Sequence, residues 1–330
     1  MDVSISRTNW HGQNAWILEN DTIRTIIVPE IGAKLVSLFD KRTQQEWLVG
    51  PGERPFTTVP YAASFVEQDM SGWDEMFPTI TACGYPVPGE KQGVHLPDHG
   101  EVWPLPWTQE PSKLSTLKFS VQGKALPYKL TRTLSYSTDE TLHMAYKLEN
   151  LGQTSMPYIW SAHPQFVCGE SAKIILPDHI KEICNVLPTE WGWGDLETRH
   201  DWPKTAVIAE KQRQSDIIGP ASLNQIRKFF VLPDELVSWA GVVRQQTNDW
   251  LRFEWDANLV PYLGIWVDEG VFNSSSVMAF EPMTGFYDSL AVAWEKQRVL
   301  TIEPGEVRSW ALSVRLGTDE DSFPMDNRLD

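Results

Sequence analysis

The sequence predicts an all-β protein built as a large antiparallel β-sandwich. Three observations predict this fold: apolar and polar residues alternate along most of the chain, 23 Pro and 21 Gly punctuate the runs, and helical periodicity is scarce. Alternation with a period of two is typical of antiparallel strands that bury one face. Because the pattern continues without a shift in composition, we expect a single domain over residues 1–330.

The strands follow from these runs in chain order. A hairpin is predicted where the polar turn 137–140 joins two alternating segments, and a short helix or turn is predicted over 289–298. The segment 191–202 is rich in Gly, Trp and charge and predicts a long loop over one face, and the acidic tail, about 317–330, is expected to fray. The predicted strands are 22–28, 34–39, 117–121, 128–136, 142–148, 251–255 and 307–316.

Charge and composition exclude several classes of protein. The 330 residues include 28 Lys and Arg against 44 Asp and Glu, a formal net charge of −16. Nucleic-acid binding and adsorption to an anionic membrane both need excess positive charge, so neither is expected. The chain has no apolar run long enough to span a bilayer, no signal-peptide pattern, and three cysteines without CxxC spacing. These features predict a cytoplasmic protein, whereas oligomeric state is left open.

The familiar motifs for cofactors and metals are absent. The sequence contains no GxGxxG, GxxxxGK[ST], GxSxG or HExxH. His95 and His99 have the spacing of a helical metal pair, but Pro97 lies between them and disfavours a helix, so no metal is expected. Sixteen tryptophans are compatible with core packing and also with stacking on sugar rings.

Three segments place a titratable side chain beside Pro or Gly at the end of a strand. Such punctuation fixes the backbone, so these side chains are held in defined places. Each also has a structural interpretation, the histidines as satisfied loop or core residues and the glutamate as an ion-paired strand end. The segments are residues 96–103 with His99, residues 160–166 with His163, and residues 279–285 with Glu281.

Together these segments resemble the aldose 1-epimerase (galactose mutarotase-like) family. The resemblance extends over residues 15–316, and the order and spacing of the matching motifs make it specific. It implies the supersandwich fold of that family, interconversion of the α and β anomers of a sugar, and no cofactor or metal. The matching stretches are 29–35 and 38–40, 46–48, His99-Gly100, His163 with Pro164 and Phe166, Glu281, and 304–306 with Trp310.

The residue types suit this chemistry. Ring opening needs a base for the anomeric hydroxyl and an acid for the ring oxygen. A carboxylate is ionised at neutral pH, so Glu281 is predicted to be the base, and an imidazole can donate at the same pH, so His163 is predicted to be the acid. His99 is expected to hydrogen-bond the ring oxygen or a neighbouring hydroxyl of a small-molecule sugar.

The chain departs from the family pattern at the substrate contacts. Members of the family carry an Arg upstream of the His-Gly motif, whereas this chain has no Arg over residues 55–131. Trp73, Asp74 and Glu75 stand in that stretch and are predicted to take over substrate contact, although a structural turn explains them equally well. Trp266 is predicted to stack on the substrate.

Three other functions stay open from sequence. A sugar-phosphate mutarotase would need cationic residues at the pocket. Another alternative is a lyase or hydrolase on the same fold. Hydrolysis would want a second carboxylate, which Asp74 or Glu75 could supply opposite Glu281. A non-catalytic sugar-binding module would not need both His163 and Glu281. Fold resemblance alone does not decide among them.

Overall fold

The computed structural model describes residues 2–187, 193–203, 205–208 and 211–325. Within these ranges the chain is built from antiparallel strands, one short helix and three 3₁₀ turns, which confirms the all-β prediction. The helix α1 spans Leu290–Glu295, inside the segment predicted to be a helix or turn, and the 3₁₀ turns are Phe65–Glu67, Ala221–Leu223 and Glu320–Ser322. None of the described helices is long and apolar enough to cross a bilayer.

The strands cover the segments predicted from alternation except Thr22, and further strands of two to eight residues add to them. In chain order they are β1 Ser4–Trp10, β2 Gln13–Glu19, β3 Ile23–Val28, β4 Lys34–Asp40, β5 Gln45–Glu46, β6 Trp73–Met76, β7 Cys83–Gly84, β8 His95–Leu96, β9 Thr108–Gln109, β10 Leu117–Gln122, β11 Tyr128–Thr138, β12 Thr141–Asn150, β13 Met156–Tyr158, β14 Ser161–Pro164, β15 Phe166–Val167, β16 Lys173–Ile175, β17 Glu182–Asn185, β18 Arg199–Asp201, β19 Thr205–Ile208, β20 Lys211–Gln214, β21 Gln225–Val231, β22 Trp239–Arg244, β23 Asp249–Trp255, β24 Tyr262–Glu269, β25 Val277–Met283, β26 Leu300–Ile302 and β27 Val307–Gly317.

Two large sheets form the sandwich. The large sheet has 13 strands in the order β1-β2-β3-β4-β6-β14-β25-β24-β21-β17-β18, with β5 and β15 attached at β4 and β25. The second sheet has eight strands in the order β16-β22-β23-β27-β12-β11-β10-β9. At the centre of the large sheet, β6, β14 and β25 are neighbours although they come from distant parts of the sequence.

The core lies between the inward faces of the two sheets. Trp73 on β6 stacks on Phe253 of β23 with ring centroids 5.1 Å apart, and Phe280 on β25 approaches the same ring. These side chains are fully buried within one continuous apolar cluster. Burial of this apolar area is the main term that holds the sheets together.

The prediction of a long loop over 191–202 is wrong in part. Residues 199–201 form β18, which pairs with β17 and extends the edge of the large sheet. The prediction missed this strand because Arg199, His200 and Asp201 show no apolar alternation. Residues 191 and 192 lie outside the described residues.

The prediction that the acidic tail frays is wrong for residues 317–325, which are held against the domain. Phe323 is 8% exposed and packs against Trp239 and Trp250, with ring centroids 5.9 and 5.2 Å away. The indole N–H of Trp250 donates to the Asp319 carbonyl at 2.8 Å. The acidic composition gave no sign of this contact, because the docking depends on a single aromatic side chain, Phe323. Residues 326–330 lie outside the described residues.

Substitution of Phe323 by Ala tests the docking of the tail. We expect a loss of about 2–3 kcal/mol in the free energy of unfolding, somewhat less than for an aromatic ring at the centre of a core. Chemical denaturation measures it. The exposed Met325→Ala is the matched control, and its effect should stay within about 0.5 kcal/mol. Equal effects of the two substitutions would show that the tail is not anchored by Phe323.

Candidate active site

The candidate site lies on the face of the large sheet that points away from the second sheet. Side chains alternate along a strand, so the inward Trp73 and Glu75 on β6 place Asp74 on the outer face. Asp74 is the direct cross-strand partner of His163 on β14, and such partners share a face. Long-range strand pairing therefore determines which side chains face this surface.

Four of the seven predicted site residues line one cavity on this outer face. The cavity has a volume of about 150 Å³ and is lined by His99, His163, Trp266 and Glu281. Two charged side chains that were not predicted, Lys228 and Asp288, line it as well. Its remaining side chains are Phe65, Val66, Met70, Ile80, Thr81, Leu187 and Phe272.

Glu281 is held from both sides by cationic or hydrogen-bonding groups. Its Oε1 lies 3.2 Å from Nδ1 of His163, and its Oε2 lies 2.7 Å from Nζ of Lys228. Burial favours the neutral acid, but the charge of Lys228 and the hydrogen bond from His163 outweigh it and lower the pKa of Glu281 to about 2. Glu281 is therefore a fixed carboxylate across the neutral range.

Lys228 is the principal site residue that sequence reasoning missed. It extends from β21, where it lies opposite Trp266 of β24, and its ammonium contacts both Glu281 and Asp288 Oδ1, the latter at 2.8 Å. Burial opposes the charge, yet the two carboxylates raise the pKa of Lys228 above its usual value. The available signal was a Lys directly before the apolar run 229–231, because a buried ammonium needs an acidic partner.

The His-Gly motif has a steric explanation. Both His99 and Gly100 have left-handed backbones, with φ of 57° and 74°. A side chain at position 100 would collide with the carbonyl of Phe77, so only glycine fits there. The turn aims the His99 imidazole into the cavity, with its Nδ1 3.0 Å from Oδ2 of Asp98.

Aromatic rings surround the two histidines. Phe65 stacks on His99 with ring centroids 3.9 Å apart and an interplanar angle of 7°, and its edge faces His163 at 5.6 Å. Trp266 lies 5.6 Å from His163 on another side. The guanidinium of Arg54 donates to the carbonyls of Gln68 and Phe272, at 3.1 and 2.8 Å, and ties two segments of the cavity rim together.

The predictions for Trp73 and Glu75 are corrected by the structure. Both side chains are fully buried and point into the space between the sheets, where they cannot reach a sugar in the cavity. Glu75 accepts hydrogen bonds from Arg132 at 2.8 Å, Tyr146 at 2.9 Å and Trp160 at 2.8 Å. The residue is a satisfied core carboxylate, and the structural interpretation of this stretch holds for these two positions.

Asp74 faces the outer side but does not line the cavity. It is fully buried, with Oδ2 3.1 Å from Nζ of Lys34, and the same ammonium binds Asp69 at 2.7 Å. Burial outweighs the attraction of Lys34, and the Asp69 carboxylate adds to burial, so the pKa of Asp74 rises to about 7. This second charged cluster includes the direct cross-strand neighbour of His163.

Asp74 should make stability depend on pH. Its folded pKa lies above the unfolded value near 3.9, so the folded state binds more protons between about pH 4 and 7, and stability falls as pH rises through that window. The Asp74→Asn variant lacks the titrating carboxyl group, so its stability should not show this contribution to the pH dependence. We expect wild type to lose more than about 1 kcal/mol relative to the variant between pH 4 and 7, measured by denaturant unfolding. A constant difference would contradict the shift.

Comparison with known proteins supports the fold at low identity. The Slr1438 protein of Synechocystis sp. PCC 6803 superposes with a TM-score of 0.69, at 16% identity, covering 97% of this chain and 100% of that one. A galactose mutarotase-like protein of Lactobacillus casei superposes with a TM-score of 0.63 at 18% identity, covering 92% of this chain and 100% of that one. Another, of Clostridium acetobutylicum, superposes with a TM-score of 0.68 at 15% identity, covering 96% of this chain and 99% of that one. No curated protein matches the sequence closely enough to count as a relative.

The architecture is a galactose mutarotase-like β-sandwich fold. The sequence also assigns the chain to a family. The model of the aldose 1-epimerase family matches residues 14–315, and the chain belongs to that family.

Proposed function

We propose that the protein interconverts the α and β anomers of a free, uncharged aldose, with Glu281 as base and His163 as acid. The observation that best supports this is the pairing of a carboxylate with an imidazole at 3.2 Å in one small cavity. Membership of the aldose 1-epimerase family supports the reaction class.

The proton transfers follow from the contacts of the pair. A Glu281 oxygen takes the proton of the C1 hydroxyl, the O1 electrons form the C1 carbonyl, and the bond from C1 to the ring oxygen breaks. The Glu281 contact favours a proton on Nδ1 of His163, so the protonated ring presents its second proton, on Nε2, to the departing ring oxygen. Rotation about C1–C2 and the reverse transfers close the ring on the other face.

The charges of the cavity favour an uncharged sugar. Lys228 is already paired with Glu281 and Asp288, and the His99 imidazole lies beside the Asp98 carboxylate. A phosphate or carboxylate group would therefore meet a lysine whose charge two carboxylates already neutralise. This argues against a sugar-phosphate mutarotase, and also against an acidic sugar as substrate.

The cavity gives less support to hydrolysis. Asp74 and Glu75, the carboxylates predicted to face Glu281, are buried outside the cavity. Asp288 does line it, but the Lys228 ammonium stands between Asp288 and Glu281, at 2.8 and 2.7 Å. In a glycosidase the scissile glycosidic bond lies between the two carboxyl groups, and here the Lys228 ammonium occupies that position.

Polarimetry of freshly dissolved anomers tests the proposal. We expect the protein to speed the relaxation of optical rotation for one or more neutral aldoses and to leave aldose 6-phosphates near the spontaneous rate. A surface variant, Glu235→Gln, should behave as wild type because Glu235 is exposed and does not line the cavity. Acceleration of phosphorylated sugars alone would contradict the proposed substrate class.

A further inference from the structure

We propose that Lys228 and Asp288 recognise the hydroxyl at C2 of the sugar, so that the site selects aldoses with a free C2 hydroxyl over their 2-deoxy counterparts. This inference rests on the proposed function, because the roles of acid and base fix how the sugar lies in the cavity. It gives the two residues a direct contact with substrate, beyond the effect of Lys228 on the charge of Glu281.

The order of the strands places His163 and Lys228 on opposite sides of Glu281. Across the large sheet the order is β14-β25-β24-β21, with His163 on β14, Glu281 on β25 and Lys228 on β21. The Lys228 side chain reaches over β24, where Gly264 is the partner of Glu281 and adds no side chain, and its ammonium lies 2.7 Å from Oε2. His163 approaches the other carboxylate oxygen, Oε1, at 3.2 Å.

The orientation of the sugar follows from this arrangement. Glu281 must reach the C1 hydroxyl, and His163 must reach the ring oxygen. C1 is bonded to both the ring oxygen and C2, so C2 points away from His163 when the ring oxygen faces it. The C2 hydroxyl therefore lies on the side of Glu281 where Lys228 and its second partner, Asp288, are found.

Lys228 and Asp288 together offer a donor and an acceptor. An ammonium has three N–H groups, and within the described part of the chain Lys228 contacts two carboxylates, so an N–H is left for a ligand. Lys228 binds Oδ1 of Asp288, no described residue donates to Oδ2, and the side chain is 20% exposed. A hydroxyl both donates and accepts hydrogen bonds, so it matches this pair of groups.

The position of Asp288 is fixed by its backbone. Its carbonyl accepts hydrogen bonds from the N–H groups of Ile80 and Thr81, both at 2.9 Å, and all three residues line the cavity. The side chain can therefore be changed without removing the contacts that hold this loop. Lys228 keeps Glu281 as a partner in such a variant.

The other polar side chains of the cavity offer weaker partners on this side. They are His99, Thr81 and Trp266. The rings of His99 and Trp266 are both centred 5.6 Å from His163, so they can serve the ring oxygen or its neighbours. Thr81 and Trp266 offer only uncharged groups, and hydrogen bonds to charged groups are about twice as strong. The charged pair is therefore the stronger partner for the C2 hydroxyl.

Matched sugar pairs test the inference. D-glucose is compared with 2-deoxy-D-glucose, and D-galactose with 2-deoxy-D-galactose, and kcat/KM for anomer interconversion is divided by the spontaneous rate of each sugar. We expect the member with the C2 hydroxyl to be favoured by about 10–100-fold, because its loss leaves charged groups without their partner. A ratio of one or less in the pairs that are turned over would overturn the inference.

The Asp288→Asn variant separates recognition of C2 from a general effect on the site. The amide keeps the shape and loses the charge, so the advantage of the C2 hydroxyl should fall by about 5–10-fold. A change at the acid or base acts on both members of a pair and cancels in the ratio. D-galactose and D-fucose differ only in the C6 hydroxyl, and their ratio should stay constant. If the C2 ratio is unchanged, or the C6 ratio changes as much, Asp288 is not the C2 contact.

Failure of the proposed function is distinguishable from failure of this inference. If no sugar is interconverted faster than in water, the proposed function fails, and binding of the same pairs, measured by ligand-observed saturation-transfer NMR titration, decides the inference. Tighter binding of the member with the C2 hydroxyl, reduced in Asp288→Asn, would support the contact. Equal or weaker binding of that member, or binding of neither, would overturn it.

Discussion

Substitution of Glu281 by Gln is expected to lower kcat for anomer interconversion by about 10²–10⁴-fold, the usual contribution of one acid–base group. Gln keeps the size of the side chain and an oxygen that can accept from Nδ1 of His163, but it cannot take a proton from the C1 hydroxyl. Lys228 keeps Asp288 as a partner, so the variant should still fold.

The Glu281→Gln variant needs two controls. Thermal unfolding should show a cooperative transition, and sugar binding measured by NMR titration should change much less than kcat. The surface variant Glu235→Gln controls for a change of charge elsewhere. Wild-type turnover in a folded Glu281→Gln protein would remove Glu281 from the role of base.

Substitution of Lys228 by Met is the second change with a large expected effect. It keeps much of the length of the side chain and removes the charge 2.7 Å from Glu281. Burial then acts on Glu281 with only His163 to oppose it, so the pKa of Glu281 should rise well above its value of about 2. Removing one partner of a buried ion pair also lowers stability, by about 3–5 kcal/mol.

The pH profile separates this role from a purely structural one. In wild type Glu281 stays ionised, so protonation of this group should not limit kcat/KM between about pH 4 and 7. In Lys228→Met an acid limb should appear at higher pH and lower kcat/KM at pH 5 by more than about 10-fold. Lys228→Arg keeps the charge and should restore most of the wild-type profile.

A titration that does not depend on activity completes the test of Lys228. The ¹³C shift of the Glu281 carboxyl should show no protonation above about pH 4 in wild type and a clear titration in Lys228→Met. The same shift has a consequence for stability: the contribution of the pair is complete above about pH 4.3 and is lost as pH falls towards 2. Identical Glu281 titrations in the two proteins would contradict the role of Lys228.

Local patterns in the sequence were enough to predict the fold class and most of the long strands. The hairpin of β11 and β12 is a direct example, because its alternation and polar turn are properties of neighbouring residues. Short strands at the edge were harder: Arg199–Asp201 is polar and its pairing partner β17 supplies the reason for its conformation. The docking of Phe323 on Trp239 and Trp250 likewise depends on surfaces built from other parts of the chain.

The site divides in the same way. His99, His163 and Glu281 stand beside Pro or Gly in sequence, and these are the predicted residues that line the cavity together with Trp266. The direction of Trp73 and Glu75 could not be read from sequence, because β6 is buried on both faces and shows no alternation. Lys228 was missed because its acidic partners, Glu281 and Asp288, lie more than 50 residues further along the chain.

Exchange NMR at equilibrium tests the central claim most directly. Magnetisation is transferred from the C1 proton of one anomer to that of the other only when the ring opens and closes, so the exchange rate is itself the proposed reaction. We expect a catalytic amount of wild-type protein to raise this rate for at least one neutral aldose, and Glu281→Gln to leave it at the spontaneous value. Binding of that sugar by folded wild-type protein without any increase in exchange, for every aldose tried, would show a sugar-binding protein instead of an epimerase.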